Sequence, residues 1–262
     1  MANLYELIQG QVRAAPGRVA IETLDGATLT YADLDERCAR LASRVARLGV
    51  GRGDRVAAQI EKSVTGALLY LACLRLGAVY LPLNTAYTEC ELDYFFGDAE
   101  PALIVCDPAR RAAIAALRGA SAARLATLDS EGEGDLIDGL DAEPPHTAIA
   151  PVADDDLAAL LYTSGTTGRS KGAMLTHRNL ASNALTLVEA WGFSEDDVLL
   201  HVLPLYHVHG LFVAFNTVLL AGARLLFLPR FEAEQALAML PRATVLMGVP
   251  TYYMRLLAHD GL

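Results

Sequence analysis

The chain has 262 residues, 53% of them hydrophobic, and its 31 acidic and 21 basic side chains leave a formal net charge of −10. So much apolar material excludes global disorder and suffices for one large domain or two smaller ones. The acidic balance argues against nucleic acid or an anionic membrane as the main partner, so an anionic ligand must be gripped by local donors.

The first elements follow from spacing and punctuation. Leu4, Ile8 and Val12 space a short amphipathic helix, and "RVAIETLDGATLTY" predicts a hairpin turning at Asp25-Gly26. Thr30 suits the cap of a helix striped by Leu34, Cys38, Leu41, Val45 and Leu48 and ended by Gly49. A strand over 55–60, a helix over 64–76 closed by Gly77, and the strand "AVYLPL" come next. Thr88-x-x-Glu91 is a capping-box spelling that opens another helix, and "ALIVCD" is again a strand.

From 119 to 156 the pattern weakens into an acidic, Gly- and Pro-containing connection. It is the expected boundary between a first part, residues 1–156, and a second, residues 157–262. The alternation then resumes with a strand over 157–161, a polar loop, and a helix from about His177 to Trp191. The strand "DVLLHVLPLY", a helix over 210–220, the strand "ARLLFLP", the strand "ATVLMGVP" and a helix over 251–258 complete it. Strands that are continuous apolar runs alternating with helices predict an α/β fold of largely parallel sheets flanked by helices on both faces.

Other segments set limits. The longest apolar runs, 63–74 and 208–223, are shorter than the roughly 18–20 residues of a membrane span. The N-terminus carries Glu6 early and lacks the pattern of a secretory signal. Cys38, Cys73, Cys90 and Cys106 show no CxxC spacing, which suits reduced thiols in a cytoplasmic protein.

The loop is "TSGTTGRSKG", Thr163 to Gly172, in which glycine, hydroxyl and cationic side chains follow a strand. Such a loop turns backbone N–H groups and hydroxyls towards one point, a geometry that binds phosphate, helped by the positive end of a following helix. Gly165 and Gly168 leave room for close approach, Ser164, Thr166 and Thr167 add donors, and Lys171 adds charge. It is not the G-x-x-x-x-G-K-[ST] loop, because Arg169 and Ser170 separate Gly168 from Lys171. A solvated polar turn is the plain alternative; the density of donors favours phosphate.

"YTSGTTGRSKG" resembles the phosphate-binding signature of the adenylate-forming enzymes, with Ser170 where proline is commoner. "LTYADLDERCARLA", "LRLGAVYLPLNTAYTECELDY" and "LPLYHVHGL" resemble further N-terminal blocks of that family, in the same order. Within it, "LPLYHVHGLFVA" and "ATVLMGVPTYYMRLL" look most like malonyl-CoA synthetases. The resemblance implies the N-terminal domain of the adenylate-forming fold. It also implies a reaction in which a carboxylic acid, ATP and coenzyme A give a CoA thioester through an acyl-adenylate. On it, Thr163, Ser164, Gly165, Thr166, Thr167, Gly168 and Lys171 hold the β- and γ-phosphates, and Mg²⁺ takes Thr167 as a ligand.

His207 matches a histidine that lines the acyl pocket and, with Lys171, is the expected catalytic pair. His201, His207 and His209 would alternatively suggest a metal site, since H-x-H on a strand puts two imidazoles on one face. No cysteine or carboxylate stands near them in sequence to complete a shell. For His209 a packed core role and a pocket role remain equally open. Met247 and Gly248 are expected to wall a small pocket. Arg255, four residues after Thr251 on a helix opened by Pro250, is by position either a solvated arginine or the partner of a second carboxylate. The likeness favours the second, which would select a dicarboxylate such as malonate over a monocarboxylic acyl chain.

The family's "YGxTE" block, its ribose-binding Asp, its hinge and its small C-terminal domain have no counterpart here. The chain is therefore expected to be the truncated N-terminal portion of such a ligase, completed by the missing C-terminal portion. The alternative is a non-catalytic half that binds a nucleotide or a partner.

Overall fold

Strands that read as unbroken apolar runs form the middles of two parallel sheets in the computed structural model, which describes residues 3–163 and 170–259. In chain order the first elements are α1 (Leu4–Ala14), β1 (Val19–Thr23), β2 (Thr28–Thr30), α2 (Tyr31–Arg47), β3 (Arg55–Gln59), α3 (Val64–Leu76) and β4 (Val79–Pro82). There follow α4 (Glu89–Ala99), β5 (Leu103–Cys106), α5 (Arg111–Ala115), β6 (Arg124–Thr127), β7 (Leu157–Thr163) and β8 (Lys171–Thr176). The last are α6 (His177–Trp191), β9 (Val198–His201), α7 (Asn216–Ala221), β10 (Arg224–Phe227), α8 (Ala233–Met239), β11 (Val245–Met247) and α9 (Pro250–Leu257). Contacts divide the chain into two units, residues 1–6 with 36–181 and residues 7–35 with 182–262. Among the described residues no helix is long and apolar enough to cross a membrane.

The first unit holds a six-stranded sheet in the order β6-β5-β3-β4-β7-β8, parallel except for β8, which runs antiparallel to β7. α3 is apolar all round, and its residues from Gly66 to Leu76 are all buried. The Ser63 hydroxyl caps its start, and Gly77 closes it in the left-handed region at φ +66°, the stop that the sequence predicts. α4 opens on the expected capping box, with the Glu91 carboxylate accepting from the Thr88 N–H at 2.8 Å.

The acidic stretch read as a boundary is fastened down instead. Arg40 donates to the Glu143 carbonyl at 2.6 Å, and Ser43 donates to the Pro144 carbonyl at 2.6 Å. Arg44 and Arg47 both meet the buried Glu143 carboxylate. Arg75, buried at the end of α3, donates to the His146 and Thr147 carbonyls at 2.6 and 3.1 Å. The bonds from Arg40, Ser43 and Arg75 satisfy carbonyls that an extended segment would otherwise leave unpaired. β7 and β8 then join the sheet of β3 to β6, so the contacts do not divide at 156–157 as expected from the sequence.

The second unit holds a five-stranded sheet in the order β11-β9-β10-β1-β2, parallel except for the β1–β2 hairpin. β1 pairs with β10, Ile21 opposite Leu225, although the two lie at opposite ends of the chain. Leu200, Leu226, Leu228, Phe231, Ala236, Met239 and Leu256 fill the core on one side of this sheet. The predicted helix over 210–220 is wound in two ways: residues His209–Phe215 are π-helical and continue into α7.

His177, the first residue of α6, is 1% exposed, and its Nδ1 accepts from the Leu4 N–H at 3.4 Å. Burial pushes the imidazole down to about 4; the Asp156 carboxylate opposes this and the Arg52 guanidinium adds to it. Because the folded value lies below the unfolded 6.5, unfolding takes up a proton. The contribution of His177 is full above pH 6.5 and is lost as pH falls towards 4, on the order of 3 kcal/mol at about 1.4 kcal/mol per pH unit. Urea midpoints should therefore fall between pH 7.5 and 4.5 and fall much less in His177→Gln. Parallel curves for the two proteins would contradict the assignment.

Candidate active site

Open α/β sheets bind ligands at the carboxyl ends of their parallel strands. In the second unit those ends stand in register: Met247 on β11 is opposite His201 on β9, His201 is opposite Phe227 on β10, and Phe227 is opposite Thr23 on β1. The His201 ring stacks on Phe227 with centroids 5.6 Å apart, and its Nε2 bonds the Gly210 carbonyl at 2.9 Å. Past β9 the chain turns through "LPLYH" into the π-helical segment. A Cβ on Gly210 would lie 2.0 Å from the Pro204 carbonyl oxygen, so only glycine lets the segment fold back against that turn.

His207 is exposed in this turn, against the Tyr206 ring at 4.7 Å, and desolvation lowers its pKa below the ordinary histidine value. It is thus held neutral more readily than a free imidazole, with one ring nitrogen a donor and the other an acceptor. His207 and His209 do not share a strand face as the H-x-H reading supposed, because β9 ends at His201. Among the described residues no three His, Cys, Asp or Glu side chains gather to hold a metal ion.

Met247 ends β11 and is 9% exposed, and Gly248 follows it. A Cβ at Gly248 would have Tyr252 and Tyr253 as its nearest neighbours, at 3.4 Å, which is ordinary contact. Arg255 is exposed on α9 with its guanidinium 4.9 Å from the centre of the Phe231 ring, and Phe231 stacks in turn on Tyr252 at 3.9 Å and 3°. An arginine on an aromatic face keeps its donor edge free for a planar anion. Sequence reasoning missed Phe231, visible only as an aromatic two residues after Pro229 with nothing to say what it carries.

In the first unit the phosphate motif leaves the carboxyl end of β7. Thr163 is the last residue of that strand and pairs with Lys171, the first of β8; both are exposed. Ser164, Gly165, Thr166, Thr167 and Gly168, expected to grip phosphate, lie outside the described residues, and with them the expected magnesium ligand. In chain order β8 stands between the loop and α6, so the helix expected to follow the loop does not follow it directly. Tyr162 and Ser170, on the flanks, are tied to α4: the Tyr162 hydroxyl donates to the Asp98 carboxylate at 2.6 Å, and the Tyr94 hydroxyl donates to the Ser170 carbonyl at 3.0 Å. Sequence reasoning missed both ties.

The pattern of the family described as AMP-binding enzyme matches residues 8–262. The chain belongs to that family. It is similar to a feruloyl-CoA synthase of Amycolatopsis sp, 36% identical over 251 residues that make up 95% of this chain and 49% of that protein. It is also similar to the mitochondrial malonate–CoA ligase ACSF3 of Mus musculus, 35% identical over 239 residues, 87% of this chain and 40% of that one. The ATP-bound crystal structure of MatB from Rhodopseudomonas palustris superposes with a TM-score of 0.96 at 52% identity, covering all of this chain and 52% of that one. The chain thus spans about half the length of the proteins it matches. Two mostly parallel sheets flanked by helices are the N-terminal architecture of this AMP-binding fold.

The packing of Gly210 yields a direct test. Gly210→Ala places a methyl group inside the Pro204 carbonyl and should destabilise the protein by about 1–3 kcal/mol in urea titration. An unchanged midpoint would mean that the π-helical segment does not pack on that turn.

Proposed function

We propose that this chain is the N-terminal part of an AMP-forming acid–thiol ligase that activates a small dicarboxylic acid, malonate or a close relative such as methylmalonate. In the first step a carboxylate oxygen attacks the α-phosphorus of ATP, and pyrophosphate leaves. In the second the thiol of coenzyme A attacks the acyl carbon and AMP leaves. A carboxylate is a weak nucleophile towards an anionic phosphate, so the residues must neutralise charge on the departing group. Lys171, with Thr163 and the hydroxyls and N–H groups of Ser164 to Gly168, is assigned that task. Magnesium, which neutralises phosphate charge when bound, would take the Thr167 hydroxyl from this chain and its other ligands from the nucleotide and water.

The observation that carries the dicarboxylate reading is Arg255 on the Phe231 ring. Its planar fork suits the carboxylate that does not react, and a monocarboxylic tail would leave the cation desolvated without a partner. His207, held towards its neutral form, is assigned to the reacting carboxylate, with Met247 and Gly248 walling the acyl group. The similarity to a malonate–CoA ligase supports this choice. The similarity to a feruloyl-CoA synthase supports the competing one, a bulkier monocarboxylic acid lying against the Phe231–Tyr252 stack.

The rest of the ligase would be supplied by a C-terminal portion. The outer residues Met254 and Leu257 of α9 are 69% and 72% exposed, and β11 is an edge of its sheet, so this end offers surface for it. A cytoplasmic setting is supported by four cysteines that form no disulfide among the described residues, three of them buried.

ATP–pyrophosphate exchange by the full-length protein with malonate, acetate and ferulate tests the reading. Malonate should be preferred, and Lys171→Ala should remove most of the exchange. Arg255→Ala should cut malonate activation roughly tenfold to a hundredfold while leaving acetate nearly unchanged, as expected for one charge-assisted pair. Preference for ferulate, or equal losses for all acids, would reject the dicarboxylate assignment. A folded full-length protein without exchange would reject the ligase in favour of a non-catalytic binding role.

A further inference from the structure

Both flanks of the phosphate motif are held by one helix. Tyr94 and Asp98 are four residues apart on α4 and so share a face. The Tyr94 hydroxyl donates to the Ser170 carbonyl at 3.0 Å, and Ser170 directly precedes Lys171. The Asp98 carboxylate accepts from the Tyr162 hydroxyl at 2.6 Å, and Tyr162 is opposite Gly172 in the β7–β8 ladder. The rings lock the same arrangement: Tyr162 stacks on Phe95 at 4.2 Å and 26°, and Tyr94 meets Tyr162 edge-on at 6.2 Å. Burial, then the Asp98 contact, push the Tyr162 phenol far above its ordinary value, so it remains a donor at any physiological pH.

The helix itself is well fixed. Its capping box is complete, Leu92, Phe95 and Phe96 are buried, and Asp93 accepts from the Gly119 N–H at 2.7 Å. β8 is the opposite case. It is an edge strand, and its residues from Lys171 to Met174 are all exposed. A segment with so little packing takes its position from its hydrogen bonds. Lys171 has the ladder to Thr163 on one side and the tethered Ser170 on the other.

We propose that Tyr94 is a positioning residue for Lys171. By holding the Ser170 carbonyl it fixes where the β8 backbone starts, and hence where the lysine ammonium meets a phosphate. Asp98, through Tyr162, fixes the facing strand in the same way. This rests on the assignment of Lys171 to phosphate. A tyrosine that merely adds stability would weaken the protein without caring what side chain stands at 171.

The test is a double-mutant cycle on the full-length protein, read as kcat/KM for ATP in pyrophosphate exchange. Tyr94→Phe removes the hydroxyl and keeps the ring; it should lower kcat/KM for ATP roughly fivefold to tenfold, the loss expected for one hydrogen bond. In a Lys171→Met background the same change should do little more. An equal factor in both backgrounds, or no effect in either, overturns the proposal. Amide hydrogen exchange over residues 170–176, without ligand, provides a readout independent of activity. Tyr94→Phe should speed exchange at the Ser170 end and leave α4 and β5 unchanged; unaltered exchange there also overturns it. If the wild-type protein exchanges pyrophosphate with no acid, the ligase reading fails and the positioning role falls with it. The hydrogen-exchange result then separates a tether that holds the strand for another purpose from none at all.

Discussion

A parallel strand can be followed by its parallel neighbour only after the chain has returned to the starting edge, so every strand of such a sheet delivers its C-terminal end to the same side. That constraint assembles the candidate site in each unit. His201, Phe227 and Met247 come from segments far apart in sequence, yet they stand abreast because β9, β10 and β11 run the same way in register. In the first unit the same rule brings the phosphate motif out at the end of β7. There the chain breaks the rule at once, folding back as antiparallel β8. The reversal leaves Lys171 on an edge strand, which explains why its position depends on a neighbouring helix.

Charge is managed locally in this acidic chain. Glu143 is shared by Arg44 and Arg47, and the largely buried Glu22 by Arg224 and Arg242. A buried carboxylate without such partners would cost several kcal/mol. Lys62 is buried too, with its ammonium pKa pushed far below the ordinary lysine value by desolvation. Lys171 and Arg255 are instead exposed cations, which suits the anion-binding roles proposed for them.

What the sequence made legible was what depends on near neighbours. The Thr88 capping box, the Gly49 and Gly77 stops, the Asp25-Gly26 hairpin and the buried strands are each set within a few residues, and the structure has them. The site residues were proposed only through likeness of short motifs to a family. The ties that carry them were not. Tyr94 to Ser170, Arg255 to Phe231 and Arg40 to Glu143 each join side chains or carbonyls far apart in sequence, and no periodicity announces such a pair. The acidic stretch misled for the same reason: its polarity reads as solvent exposure, whereas its carbonyls are taken up by arginines of α2 and α3. β6 was overlooked because "RLAT" is too short and too polar to register as a strand.

The winding of His209–Phe215 carries one more implication. A π turn is a helix with a residue more than an α turn would hold. A related chain one residue shorter at this point could wind the same turns as α-helix, because the wider π turn holds its extra residue without adding a turn. The extra residue is taken up inside the segment, so Tyr206 and His207 before it would keep their facing relative to α7. The π winding thus works as a buffer, absorbing a one-residue change in length between "PLYH" and α7 without redirecting the histidine.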